Sequence, residues 1–239
     1  YTGGTTGLSK GAALTHRNLV ANIIQFNALL GDRIHEGEEV VITALPLYHI
    51  FALMVNCLSY FTKGGRNVLI TNPRDMPGFV AELAKWKCSV ITGVNTLFNG
   101  LLHTPGFEEL DFSNLRLTGG GGTAIQEAIS NKWREVTGVH ITEGYGLSET
   151  SPVVTFNVPG QDEFTATIGI PMASTDIVLR DDDGNDVAQG DPGELCVKGP
   201  QVMVGYWRKD EETAAVTTKD GYFCTGDIAI LTDEGRFKI

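Results

Sequence analysis

From Thr15 onward the apolar residues Leu19, Ile23, Phe26 and Leu30 recur at alternating four- and three-residue steps, the period of one face of an α-helix. Thr15 suits the cap before that helix and Gly31 the turn after it. Further on, apolar residues gather into short blocks at Val40–Leu45, Val68–Thr71, Ser89–Thr92, Leu115–Thr118 and Val139–Thr142. Blocks of this length with little polar alternation mark strands covered on both faces. Helical stretches separate them. One runs from about Phe51 to Phe61. Another has Pro77 in its first turn and carries Phe79, Val80, Leu83 and Trp86. A third is opened by Gly93 to Phe98. A fourth sets Ile125, Ile129, Trp133 and Val136 on one face and closes at Gly138. This alternation predicts an α/β fold, a mostly parallel sheet layered with helices and joined by right-handed crossovers.

Past about Thr165 the texture changes. Short β-rich runs (176–180, 193–198, 222–225, 228–231 and 236–239) alternate with turns such as Asp181–Asn185 and Asp233–Gly235. One helical turn near Glu211–Val216, with Asp210 as its cap, interrupts them. The pattern predicts a small antiparallel β subdomain. The predicted division is residues 1–164 and 165–239. The uncharged run 40–62 has the length of a membrane span. However, Pro46, His49, Asn56 and Ser59 interrupt it, and a buried strand, a turn and a buried helix account for it better.

The 239 residues suffice for a substantial core. With 18 Lys and Arg against 29 Asp and Glu, the formal charge is −11. That balance argues against nucleic acid or an anionic membrane as the main partner. Cys57, Cys88, Cys196 and Cys224 form no C-x-x-C pair, and they read as reduced, mostly buried thiols of a cytoplasmic protein. No initiator Met or signal-peptide pattern opens the chain.

Three stretches carry candidate chemistry. The first is Tyr1-Thr2-Gly3-Gly4-Thr5-Thr6-Gly7-Leu8-Ser9-Lys10-Gly11. Its glycines let backbone N–H groups approach a ligand and form a nest suited to phosphate. Its threonine hydroxyls add donors or ligate a hard cation, and Lys10 adds a mobile positive charge. It is not a Walker A loop, because Ser9 precedes Lys10 and Gly11 follows it. The second is Glu143-Gly144-Tyr145-Gly146-Leu147-Ser148-Glu149-Thr150, with an aromatic ring between glycines, a hydroxyl at Ser148 and a carboxylate at Glu149 suited to Mg²⁺. The third is Tyr222-Phe223-Cys224-Thr225-Gly226-Asp227, whose carboxylate can accept from two neighbouring ribose hydroxyls at once. His49, between aromatics just past a strand end, is equally readable as a histidine satisfied by backbone or as a functional group. Gly119-x-Gly121-x-x-Ala124 fits the Gly/Ala version of the dinucleotide fingerprint, with Glu143 about twenty residues on. It keeps a nicotinamide-dependent oxidoreductase open as a rival reading.

In family order and with family-like spacing, these three motifs resemble those of the adenylate-forming superfamily, which includes acyl-CoA synthetases, luciferases and peptide-synthetase adenylation domains. Ala124 stands where relatives usually have proline, and Ser148 where they usually have threonine. The intervening segments Leu45–Phe51, Thr71–Asp75, Ile91–Phe98 and Gly193–Tyr206 are similar to bacterial long-chain fatty acid–CoA ligases. The resemblance implies ATP-dependent activation of a long-chain fatty acid to acyl-adenylate, then transfer to CoA with release of AMP. It assigns Thr2, Gly3, Gly4, Thr5, Thr6, Gly7 and Lys10 to the ATP phosphates. It assigns Thr2 and Glu149 to Mg²⁺, Ser148 to a phosphate oxygen and Asp227 to ribose. Gly120, Gly121 and Gly122, with Glu143, Gly144, Tyr145 and Gly146, are assigned to the adenosine. The stretch around His49 flanks the acyl and pantetheine site, and Gly93, Val94, Thr96 and Phe98 line the acyl pocket, with ordinary packing between strand and helix as the alternative for that segment. Glu149, Lys10 and His49 are the residues expected to serve catalysis.

By the same resemblance, residues 1–164 are a core incomplete at its N-terminus, and Ile239 lies just before the hinge to a mobile lid that carries a catalytic lysine. The stretch alone is therefore expected to bind nucleotide weakly and turn over little. Transfer of the acyl group to a carrier protein instead of CoA, or a degenerate ligase-like binding module, stays open. A cytoplasmic location is expected from the reduced cysteines, and peripheral attachment of the full-length protein at the inner membrane stays open.

Overall fold

Four of the five apolar blocks become strands buried on both faces, while the block at 68–71 contributes to an edge strand that is mostly exposed. A computed structural model describes residues 1–2, 9–160 and 163–239. It splits into two compact units that interleave along the sequence: residues 26–144 with 157–166, and residues 1–25 with 145–156 and 167–239. The first helix, α1 (His16–Leu30), contributes to both.

The first unit is the α/β layer. It contains β1 (Val40–Thr43), a π-helical stretch (Ala52–Leu58) continued by α2 (Ser59–Phe61), β2 (Arg66–Leu69) and α3 (Met76–Leu83). After them come β3 (Val90–Gly93), α4 (Asn95–Leu102), β4 (Leu117–Gly120), α5 (Glu127–Thr137) and β5 (Ile141–Gly146). The strands run parallel in the order β2-β1-β3-β4-β5. Asp75 caps α3 by accepting from the Gly78 N–H, with Pro77 in the first turn as predicted. Gly138 ends α5 at φ +79°, a conformation glycine takes without strain. The core centres on Trp133, fully buried, whose Nε1 donates to Thr118 Oγ1 at 3.0 Å and whose ring lies 4.9 Å from Phe98 and 5.2 Å from Phe107.

The second unit contains β6 (Val153–Phe156) antiparallel to β7 (Ile170–Pro171). A four-stranded antiparallel sheet then follows in the order β11-β10-β9-β8, formed by β8 (Asp176–Arg180), β9 (Gly193–Lys198), β10 (Phe223–Leu231) and β11 (Phe237–Lys238). A short α6 (Asp210–Ala215) precedes β10. Leu179, Leu195, Val197, Ala229 and Phe237 form its core with Val154.

Several local expectations are corrected. The helix expected at 51–61 is π-helical through Ala52–Leu58. Within it Asn56 is fully buried, and its amide donates to Thr43 Oγ1 at 3.1 Å and Thr92 Oγ1 at 2.7 Å. The widened turn thus seats a buried polar group between two strands. The two runs expected at 222–225 and 228–231 are one strand, because Gly226 at φ +81° carries the chain through a bulge between Cys224 and Ile228. Asp210 is the first helical residue of α6 and not its cap, since Lys209 takes the non-helical conformation. Strand β5 continues past Thr142 to Gly146, so half of the second motif is itself strand.

Helix α1 also carries more than its apolar stripe. Thr15 Oγ1 accepts from the Asn18 N–H at 3.1 Å, and Asn18 Oδ1 accepts from the Thr15 N–H at 2.8 Å, a reciprocal cap. Asn18, Asn22 and Gln25 form a second, buried and polar face. Asn18 donates to Pro200 O and Val202 O, and Asn22 exchanges two hydrogen bonds with the Val153 backbone. Among the described residues, no helix is long and apolar enough to cross a membrane.

Candidate functional site

The N-terminal loop is closed at its base by an antiparallel bridge. The Thr2 N–H donates to Lys10 O at 2.8 Å, the Lys10 N–H to Thr2 O at 3.1 Å, and Ser9 Oγ to Thr2 O at 3.2 Å. Gly3, Gly4, Thr5, Thr6 and Gly7 lie outside the described residues. Beyond the bridge the chain pairs with the segment before α6, the Ala13 N–H donating to Gly205 O and the Trp207 N–H to Gly11 O. This pairing holds the Lys10 ammonium 4.7 Å from the centre of the Tyr206 ring, a cation–π contact.

Glu149 sits in the 3₁₀ turn Ser148–Thr150, just past the end of β5. The approach is tight: a Cβ on Gly146 would fall 1.9 Å from Pro152 O, so only glycine fits there. Glu149 is 4% exposed. Tyr206 donates its phenol hydrogen to Glu149 Oε1 at 2.8 Å. Glu149 Oε2 is buried and has no hydrogen-bond partner among the described residues. A buried carboxylate oxygen left unpaired is costly, and an anionic oxygen in that state is a donor suited to a hard cation. Burial, and next the bond to the carboxylate, push the Tyr206 phenol well above its ordinary range, so it stays protonated and donating.

Asp227 lies in the β10 bulge. Its Oδ2 accepts from the Tyr145 hydroxyl at 2.6 Å, and its N–H donates to Thr225 Oγ1 at 3.2 Å. The Gly226 N–H donates to Glu194 Oε1 at 2.8 Å, which fixes the bulge against β9. Tyr145, expected only as a ring between glycines, is thus tied by its phenol to Asp227. Thr2, Lys10, Tyr145, Ser148, Glu149 and Asp227 all belong to one compact unit.

The glycine turn and the acyl-flanking residues belong to the other unit. Gly120 is packed so closely that a Cβ would lie 2.8 Å from Ile141 and 2.9 Å from Ile125, while Gly122 takes φ +77°. A Cβ on Gly121 would meet Gly144 O at 3.3 Å and the Phe51 ring at 3.4 Å. Glu143 is buried and accepts from the Ile125 N–H at 2.9 Å, which ties the turn to β5. Burial pushes its carboxyl above the usual range, partly opposed by that N–H. After this turn α5 starts only at Glu127, three residues beyond Ala124. His49 is exposed, and its Nδ1 accepts from the Phe51 N–H at 3.2 Å. At the β3–α4 junction, Gly93 has Leu97 and Phe98 filling the place of a side chain, Phe98 is fully buried against Trp133, Val94 is half-buried and Thr96 exposed.

Comparison with known proteins gives the class. Residues 1–207 match the AMP-binding enzyme family, and the chain belongs to that family. It is 54% identical over 239 residues to a long-chain-fatty-acid–CoA ligase of Escherichia coli O6:H1 and 38% identical over 240 residues to one of Bacillus subtilis. Both alignments cover all of this chain and 42% of the relative. Among solved structures, ATP-bound MatB from Rhodopseudomonas palustris superposes with a TM-score of 0.90 at 31% identity, covering all of this chain and 46% of that one. The chain thus spans less than half the length of the curated relatives it matches.

The residue that sequence reasoning missed is Tyr206. It lies at the end of a segment, Gly193–Tyr206, that carried resemblance without a chemical role. The available signal was a tyrosine following Gly205, whose φ of +156° sets the segment's path.

Proposed function

We propose that the whole protein activates a long-chain fatty acid with ATP, forming acyl-adenylate and pyrophosphate, and passes the acyl group to CoA with release of AMP. The observation that carries this reading is Glu149, a buried carboxylate held by Tyr206 on one oxygen and, among the described residues, without a partner on the other. Similarity to long-chain-fatty-acid–CoA ligases supports the substrate class.

No side-chain nucleophile is required, because a carboxylate oxygen of the fatty acid attacks the α-phosphorus and pyrophosphate leaves. The CoA sulfur then attacks the acyl carbonyl and AMP leaves. The protein positions these groups and stabilises the developing charge. The donor set fits Mg²⁺: Glu149 would hold it through Oε2, with the Thr2 hydroxyl as a second oxygen ligand, and the ion would neutralise charge on the phosphates. Lys10 adds positive charge to the phosphate loop, and Ser148 offers a hydroxyl to a phosphate oxygen. Asp227 accepts from the ribose hydroxyls while Tyr145 holds its other oxygen. Gly120, Gly121, Gly122 and Gly144 would leave backbone open to the adenosine, with Glu143 holding the turn through the Ile125 N–H. Gly93, Val94, Thr96, Phe98 and His49 flank the acyl and pantetheine path. Peripheral membrane attachment of a cytoplasmic protein belongs to the same proposal.

The test is calorimetry of this chain with Mg·ATP and with non-hydrolysable acyl-adenylate analogues of short and long chain. Binding should strengthen with chain length. Asp227→Ala should weaken nucleotide binding by about 10- to 100-fold, the value of lost hydrogen bonds to a charged group. Unchanged affinity in that variant would remove Asp227 from the ribose site. Equal affinity for both chain lengths would remove the fatty-acyl assignment.

A further inference from the structure

Four thiols occur in the chain, and the nucleotide reading uses none of them. Two stand face to face in the antiparallel sheet of the second unit. Cys196 on β9 and Cys224 on β10 are direct cross-strand partners, flanked by the Val197–Phe223 pair. The Cys224 N–H donates to Val216 O at 2.8 Å, away from β9. The pair is therefore of the type without mutual backbone hydrogen bonds, in which opposed residues approach most closely, with Cα atoms about 4.5 Å apart. That separation lies within the range a disulfide spans. The two Sγ atoms are 3.0 Å apart.

We propose that Cys196 and Cys224 are a thiol-modification site, a vicinal dithiol that a hydroperoxide converts into a cross-strand disulfide between β9 and β10. The two thiols differ in the way such a pair requires. Cys224 is half-buried and within reach of a small oxidant, while Cys196 is fully buried. Burial and the neighbouring sulfur hold the Cys196 thiol well above its ordinary range, so it is the protonated member of the pair. In the first step the Cys224 sulfur, as thiolate, attacks one peroxide oxygen. An S–O bond forms, the O–O bond breaks, sulfur loses two electrons, and the leaving oxygen takes a proton to become water or an alcohol. In the second step the Cys196 sulfur attacks the sulfenic sulfur of Cys224. The S–S bond forms, the S–O bond breaks, and the hydroxyl leaves with the thiol proton as water. Two thiols and one hydroperoxide are consumed, and exchange with a low-molecular-weight thiol reverses the change. Glu194 shares this face, and its carboxylate and the two sulfurs lie within 4.8 Å of one another. A thiophilic cation is therefore the competing occupant. The proposal does not depend on nucleotide binding, since it rests on β9 and β10 alone.

The experiment is to treat the chain with a small molar excess of hydrogen peroxide, alkylate it under denaturing conditions, digest it and map its thiols by mass spectrometry. Loss of two of the four thiols, a linked peptide joining Cys196 to Cys224, and full recovery with dithiothreitol are expected. In Cys196→Ser, dimedone should trap Cys224 as its sulfenic acid and no intrachain link should form. If that variant fails to fold, the wild-type peptide map decides alone. Four thiols still open to alkylation, or a link through Cys57 or Cys88, would overturn the proposal. So would retention of one equivalent of added Zn²⁺ that shields both thiols, which would make the site a metal site.

Discussion

Glu149 shows how one side chain is prepared by another far away in sequence. Its carboxylate is buried, yet among the described residues only one oxygen has a donor, the phenol of Tyr206. Tyr206→Phe keeps the ring under Lys10 and removes that donor alone. It should destabilise the chain by about 1.5–3 kcal/mol, the value of a hydrogen bond to a charged group. Urea unfolding would measure this, and an unchanged midpoint would show that the bond contributes nothing. Glu143 is a second case, with the opposite logic. Burial raises its folded-state pKa above the ordinary 4.5, so its ionised form is disfavoured by the fold. A raised carboxyl leaves stability intact below the unfolded value and costs it as pH rises through the folded one. Glu143→Gln keeps an acceptor for the Ile125 N–H without the charge, so it should gain on wild type as pH rises above 4.5. A stability difference that does not change as pH is raised from below 4.5 to neutrality would rule out the desolvated charge as its source.

Among the elements, α1 was legible on one face only. Its apolar stripe and its Thr15 cap follow from local chemistry, because a helical period and a hydroxyl before it are visible in a dozen residues. Thr15→Ala should cost about 1 kcal/mol through loss of the cap, read as a lower urea midpoint with an unchanged slope. The buried polar face Asn18-Asn22-Gln25 was not legible, because its partners are backbone groups near residues 153, 173 and 200, more than a hundred positions away. The bulge in β10 was invisible for a related reason. Gly226 reads as a turn in isolation, and only pairing with β9 on both sides shows that the strand continues. Asn56 in the π-helical turn likewise reads as an interruption until Thr43 and Thr92 are seen to hold it.

At the scale of the molecule, apolar blocks and their spacing determined the fold class: parallel strands with covering helices, then a small antiparallel sheet. Glycine-rich turns and carboxylates likewise singled out the loop at Thr2 and Lys10, the motif Glu143–Thr150, and Asp227 as candidates, because backbone permissiveness and charge are local properties of residues. The tertiary structure alone decided that residues 1–25 and 145–156 group with 167–239. It also decided that Tyr206 reaches Glu149, that Tyr145 reaches Asp227, and that Cys196 meets Cys224. Each of those contacts joins residues 28 to 82 positions apart. Register and loop path set them, and neither is encoded in the period of any one element.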